Sequence, residues 1–373
     1  MYHFTRITRN EFLSSCLLGF LLWVLIFFAG SPVLACSRLL SANNGQAVLV
    51  GRNMDWPENV DSNLWFLPRG INRNGLREGN AVVWTAKYSS IVAASTIKGQ
   101  SFVSDGINEK GLEANLLWLD ENDFGKRDET KPGLSAALWA QYFLDNYSTV
   151  AEVVKAVRAG GYQIVDFNVP MFIPTVGITE ARASMHISLA DKTGDSAIIE
   201  YLNGEPVIYH DRKFTIMTNS PTFDKQQENL KQYQGFGGNK PLSGTVEADD
   251  RFVRASFYLK NLPQPNNLRE AIAHILSVTR NVSQPFTVAL DPDHPNISFT
   301  IWRTVGDLTN GYYYYESTIS PYLIWVDFAE FDSKAGAPAM KLDLSKNPDY
   351  CGNVSKLFQK ADPTELKVPK FFN

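Results

Sequence analysis

The sequence predicts an α+β fold in which antiparallel sheets carry helices on their outer faces. Three observations lead there. Extended stretches come in runs divided by tight-turn signals, two pairs of helical segments interrupt those runs, and hairpins rather than βαβ crossovers join the strands. With 373 residues, 44% of them hydrophobic and 20% charged, the chain has ample material for a large core. No linker or internal repeat divides it, so residues 36–373 are expected to form one domain behind an N-terminal leader. The formal net charge of −4 is mild and no block of like charge occurs, which argues against nucleic acid as a partner.

The elements follow in order. A first strand is expected over 46–56, where Val48 and Val50 are apolar. Further extended stretches fall at 81–85, 88–95 and 102–103. Asp105-Gly106 reads as a turn and Asn108-Glu109-Lys110-Gly111 as another, ahead of an apolar stretch at 112–119. One helix is expected over 134–144 after Pro132-Gly133. A second runs from the Ser148/Thr149 cap, with Glu152 behind it, to Gly160-Gly161. Residues 197–202 and 206–209 flank Asn203-Gly204, a pair that supplies the positive φ angles of a tight hairpin. A strand over 214–217 delivers Thr218-Asn219-Ser220-Pro221 at its end. Helices over 250–258 and 268–279 precede strands at 298–304, 312–315 and 322–328, with a turn at Asn310-Gly311.

The N-terminus has a different character. Arg6 and Arg9 precede an apolar run from Phe12 to Gly30, and Val33-Leu34-Ala35 ends it with small or modest side chains. That is the order of a secretory signal, cleaved before Cys36. The run is also close to the roughly 20 residues that span a bilayer, which leaves an uncleaved anchor as an alternative. Cys16 would leave with the signal, so the mature chain keeps only Cys36 and Cys351, read as two free thiols. Export would place the protein in the periplasm or outside the cell, with no stable membrane association after processing. The same Val-Leu-Ala-Cys also fits a lipoprotein processing site. Cys36 would then be lipidated and the protein a non-catalytic, lipid-anchored envelope protein.

An N-terminal cysteine carries its own base. An unperturbed thiol has a pKa of about 8.5 and an α-amine of about 7.7–8.0, close enough for the amine to take the thiol proton. A nearby cation would lower the thiol pKa, and Arg52 is the candidate. Asp55 is placed to orient the amine. None of the four histidines left after processing has the spacing of a zinc helix, so no metal is expected.

Five motifs occur in a fixed order: Cys36, Arg52-x-x-Asp55-Trp56, Asp105-Gly106-x-Asn108-Glu109-Lys110-Gly111-Leu112, Thr218-Asn219-Ser220-Pro221 and Arg251-Phe252-Val253-Arg254. Together they resemble the choloylglycine hydrolase family of N-terminal-nucleophile hydrolases. That family contains penicillin V acylases and conjugated bile salt hydrolases. The likeness spans nearly the whole mature chain and is greatest to the Gram-negative, penicillin V acylase-like branch, which includes enzymes that cleave N-acyl homoserine lactones. It implies a four-layer αββα sandwich, a small-molecule amide as substrate, hydrolysis through a thioester, and no cofactor.

Residue by residue, the resemblance implies that Cys36 is nucleophile and base, and that Arg52 and Asp55 set its charge and orientation. It makes Asn219 an oxyanion donor and sets Arg251 beside the nucleophile, while Arg254 is read as a solvated helix charge. Trp56 and Trp118 would line the acyl pocket. The family's second oxyanion donor falls at Trp118, whose side chain cannot play that part in the same way. Asn115 or a backbone N–H is expected to replace it. The segment between Asn219 and Arg251 is short where bile salt hydrolases carry an extension that helps build tetramers, which leaves a homotetramer open.

Overall fold

The computed structural model describes residues 36–173, 177–233, 239–286, 298–346, 349–367 and 369; the leader expected at 1–35 lies outside the described residues. The chain starts with a hairpin of β1 (Ser37–Ser41) and β2 (Leu49–Trp56) in one sheet. It crosses to a second sheet with β3 (Asp61–Leu67), β4 (Ser90–Ile97), β5 (Gln100–Asn108) and β6 (Leu112–Trp118). Helices α1 (Trp139–Asn146) and α2 (Val150–Ala159) follow, then β7 (Met185–Asp191), β8 (Ser196–Leu202) and β9 (Glu205–His210) extend the second sheet. The short β10 (Ile216–Met217) returns to the first sheet. Three helices come next: α3 (Phe223–Leu230), α4 (Ala248–Lys260) and α5 (Leu268–Asn281). The chain closes with β11 (Phe299–Asp307), β12 (Tyr312–Ser317), β13 (Leu323–Asp327), β14 (Met340–Leu342), β15 (Gly352–Asn353) and β16 (Gln359–Lys360).

The first sheet has the order β10-β1-β2-β11-β12-β13-β15 and the second β9-β8-β7-β6-β5-β4-β3-β14-β16. Within these two sheets every pairing of the described strands is antiparallel except β13 with β15. Helices α4 and α5 pack on the outer side of β1, β2 and β11, while α1 and α2 pack on β5 to β9. The layers are therefore helix, sheet, sheet, helix, the four-layer αββα sandwich that the resemblance implies. Among the described residues, no helix is long and apolar enough to cross a membrane.

Strand alternation explains how β2 serves two layers at once. A Cβ on Gly51 would meet Thr279 and Ile275, and Asn53 donates to the Thr279 carbonyl, so this face looks at α5. Arg52, on the other face, reaches across to the Leu116 carbonyl of the second sheet. Local signals hold elsewhere too. Thr149 accepts from the Glu152 N–H at the start of α2, and Gly160 ends it in the left-handed conformation at φ 67°. Asn203 and Gly204 join β8 to β9 with φ values of 53° and 82°.

Two expectations need correction. The helix expected from residue 134 begins only at Trp139, because Gly133–Ser135 pairs in parallel with Gln163–Val165. Asp105-Gly106 is not a turn but the buried centre of β5, where a Cβ on Gly106 would stand 2.6 Å from the Ile91 carbonyl oxygen. Helix α3 and strands β1, β3, β7 and β14 to β16 fall where no element is expected from the sequence.

The two sheets meet over a polar layer rather than a purely apolar one. Arg38 and Arg52 are directly opposite on β1 and β2. Facing them from β5 and β6 are Asp105 and Glu113, bridged by the Asn115 amide at 2.7 and 2.9 Å. Glu113 is pushed well above the usual carboxylate range, by burial first and then by the Asp105 charge. Its Oε2 fills the space over Gly306, where a Cβ would come within 2.1 Å. Gly306→Ala should therefore destabilise the protein by about 1–3 kcal/mol, the usual cost of overpacking, read from its urea unfolding midpoint. An unchanged midpoint would mean that Glu113 is free to move aside.

Candidate active site

Cys36 stands immediately before β1, buried, with its thiol 3.7 Å from the main-chain carbonyl oxygen of Asp55 at the far end of β2. The Ser37–Asn53 and Arg38–Arg52 pairings bring these two ends together. The Cys36 nitrogen donates to Asn219 Oδ1. It is a backbone amide in the full-length chain and would be an α-amine in a chain beginning at Cys36.

Arg251, on the first turns of α4, closes the other side. Its guanidinium donates to the Cys36 carbonyl at 2.6 Å, to Ser37 Oγ, and to Asn219 Oδ1 at 3.2 Å. Asp55 Oδ2 lies 3.9 Å from Arg251 Nη1, and Thr300 Oγ1 donates to Oδ1 of the same carboxylate. Burial pushes the Asp55 carboxyl up to about 6, against the pull of Arg251, Thr300 and Arg52. This folded value lies above the unfolded one. The stabilising contribution is thus full below about pH 3.9 and is lost as pH rises through about 6.

Arg52 sits in the layer between the sheets. Its Nη2 donates to the Leu116 carbonyl at 2.8 Å, its Nη1 lies 3.7 Å from Asp105 Oδ2, and its guanidinium carbon is 4.8 Å from the Trp302 ring centroid. Asp105 in turn accepts from the Tyr313 hydroxyl. Burial raises the Cys36 thiol pKa, and the charge of Asp55 adds to that rise. Arg52 is the largest opposing influence, with Arg251 a smaller one.

Asn219 is engaged at both ends. Its Oδ1 holds the Cys36 nitrogen and Arg251, and its Nδ2 donates to the Trp118 carbonyl at 2.7 Å. An amide nitrogen carries two hydrogens, so one remains. Trp56 and Trp118 meet edge to face with centroids 6.0 Å apart, and Trp118 Nε1 donates to Asp120 Oδ1. Both rings are buried at the ends of β2 and β6.

The structure thus brings Cys36, Arg52, Asp55, Asn219 and Arg251 to one place, with the two tryptophans adjoining through the Trp118 carbonyl and β2. Asn115 is the exception. Both its amide hydrogens go to Asp105 and Glu113 and its oxygen accepts from Ser188, so it is not free to serve as the second oxyanion donor. Arg254 is also corrected: it is buried and donates to the Ser243 and Thr245 carbonyls. Thr300 and Gln226 are site neighbours that sequence reasoning missed, and no local pattern marks either one. Cys351 is a free, exposed thiol. Among the described residues, no three His, Cys, Asp or Glu side chains are grouped to hold a metal ion.

Two substitutions should move the Cys36 thiol in opposite directions. Arg52→Gln removes a positive charge that favours the thiolate, so the pH midpoint of Cys36 alkylation should rise. Asp55→Asn removes a negative charge that disfavours it, so the midpoint should fall. Iodoacetamide labelling followed by intact mass reads both, and shifts of the same sign would contradict this arrangement.

Comparison with known proteins gives the family. The model of the family described as linear amide C–N hydrolases, choloylglycine hydrolase family, matches residues 36–334. The chain is 41% identical to a penicillin V acylase of Pectobacterium atrosepticum over 90% of its own length and 93% of that protein. A solved penicillin V acylase from Agrobacterium tumefaciens superposes with a TM-score of 0.78 at 41% identity, covering 91% of this chain and all of that one. A conjugated bile acid hydrolase from Clostridium perfringens, at 24% identity and a TM-score of 0.66, covers 82% of this chain and 96% of its own and shares the fold. With the family model and these relatives in agreement, the chain belongs to the choloylglycine hydrolase family and is a hydrolase of carbon–nitrogen bonds in linear amides.

Proposed function

We propose that the protein is exported and that removal of residues 1–35 makes Cys36 both nucleophile and base. The observation that carries this reading is the coordination of one residue at two points. Asn219 holds the Cys36 nitrogen, while Arg52 and Arg251 supply positive charge around its thiol. The freed amine takes the thiol proton and the thiolate attacks the amide carbonyl. The remaining Asn219 hydrogen faces the developing oxyanion, with a main-chain N–H as the second donor in place of Asn115. Collapse breaks the C–N bond, the ammonium returns its proton to the leaving amine, and a thioester remains on Cys36. Water, deprotonated by the same amine, releases the acid.

Burial of Cys36 supports a free cysteine over the lipid-anchored alternative, since a lipid chain needs an exposed attachment point. For the acyl group, the Trp56–Trp118 pair suits a phenoxy ring or a long apolar chain. The two penicillin V acylase relatives point the same way. We therefore place penicillin V and long-chain N-acyl homoserine lactones ahead of conjugated bile acids, with the periplasm or exterior as the working compartment.

Cys36→Ala should abolish hydrolysis, and an equally active variant would refute the mechanism. Asn219→Ala should lower kcat by about 10²–10³, the usual loss of one oxyanion donor. Across a panel of the three substrate types, kcat/KM should be higher for penicillin V than for glycine-conjugated bile acid; the reverse order would overturn the substrate assignment.

A further inference from the structure

Asn219 has little of its own to keep it in place. It follows the two-residue strand β10 and precedes the Ser220-Pro221 turn, yet its side chain must meet Cys36, Arg251 and Trp118 together. The support comes from α3, a helix that, among the described residues, makes no hydrogen bond to Cys36.

Within α3, Gln226 is buried to 2% exposure although it is an uncharged polar residue on a helix whose other side is wet. Its Nε2 donates to the main-chain carbonyl of Asn219 and, at 2.9 Å, to that of Pro221. Its Oε1 accepts from Thr218 Oγ1 at 2.7 Å. One side-chain amide thus grips the residue before Asn219, Asn219 itself, and the turn after it. The helix is pinned in its turn, because Glu200 Oε1 on β8 accepts the Phe223 N–H at its first residue.

We propose that Gln226 is a positioning residue for the reaction: it fixes the peptide of Asn219, so that Oδ1 meets the Cys36 nitrogen and the remaining Nδ2 hydrogen meets the oxyanion. The inference rests on the hydrolase mechanism given above. Its physical basis is the steep cost of misplacement, since an error of about 1 Å at a reacting group can cost about 10² in rate. Neither atom of Gln226 reaches Cys36, so its effect passes through Asn219.

The mature chain, Gln226→Met and Gln226→Glu give the test. Methionine keeps the length and the apolar packing but makes none of the three hydrogen bonds. Glutamate keeps the acceptor for Thr218 and regains a donor toward the Asn219 carbonyl only when its carboxyl is protonated. We expect Gln226→Met to lower kcat for penicillin V about 10- to 100-fold with KM within about twofold, and to slow Cys36 alkylation by iodoacetamide. Gln226→Glu should approach wild-type activity, compared at equal pH, as pH falls. A purely structural role would give neither the kcat-against-KM split nor the acid rescue.

Values of kcat and alkylation rate within twofold of wild type in a folded Gln226→Met protein would overturn the proposal. Should that variant not fold, a pH-independent defect in Gln226→Glu overturns it. Alkylation needs no amide substrate. A wild type that hydrolyses no amide but loses thiol reactivity in Gln226→Met would therefore sink the hydrolase mechanism and leave the role of Gln226 standing.

Discussion

The burial of Arg52 without access to water is the constraint on which the site depends. A guanidinium taken out of water costs several kcal/mol unless charge and hydrogen bonds replace the solvent. Here they come from the opposite sheet: the Leu116 carbonyl, Ser104 Oγ and Asp105, with the face of Trp302 beside them. Arg52 therefore gains these partners for its two Nη atoms only when the two sheets are correctly stacked, while its buried Nε makes no hydrogen bond. The same charge is the strongest influence favouring the Cys36 thiolate. Stacking of the sandwich and activation of the thiol are linked through one side chain.

The neighbouring Arg38 makes the arrangement demanding. Two like charges directly opposite on paired strands repel, and they are tolerated because Asp105 and Glu113 face them. Burial lowers Arg38 to about 10, which leaves it charged at neutral pH, and raises both Asp105 and Glu113, so any relief of charge in the layer falls on the carboxyl groups. Asn115 belongs to this layer. Its amide is committed there to Asp105, Glu113 and Ser188, which is why it does not serve the oxyanion.

Legibility of the sequence followed locality. Helix α2, the β8–β9 hairpin and the turn at Gly111 were marked by capping residues and positive-φ pairs, and all three are present. Helix α3 was invisible because Phe-Asp-Lys-Gln-Gln-Glu-Asn-Leu has apolar residues only at its ends, so no stripe of period 3.6 appears. Asp105-Gly106 carried a turn signal that tertiary packing overrode: the aspartate is needed opposite Arg52, and the glycine lies too close to Ile91 for a side chain. The residues meeting at Cys36 were found through the order of the five motifs. Gln226 and Thr300 were not, since their roles depend on contacts that only the folded chain creates.

The central claim is that Cys36 works as the unmodified first residue of the mature chain. It is tested most directly by intact mass of the protein from its native envelope, before and after acid quenching during turnover of penicillin V. The account predicts a chain beginning at free Cys36 that gains the mass of one phenoxyacetyl group on that residue. A chain still beginning at Met1, a lipid on Cys36, or an acyl group trapped elsewhere would contradict it.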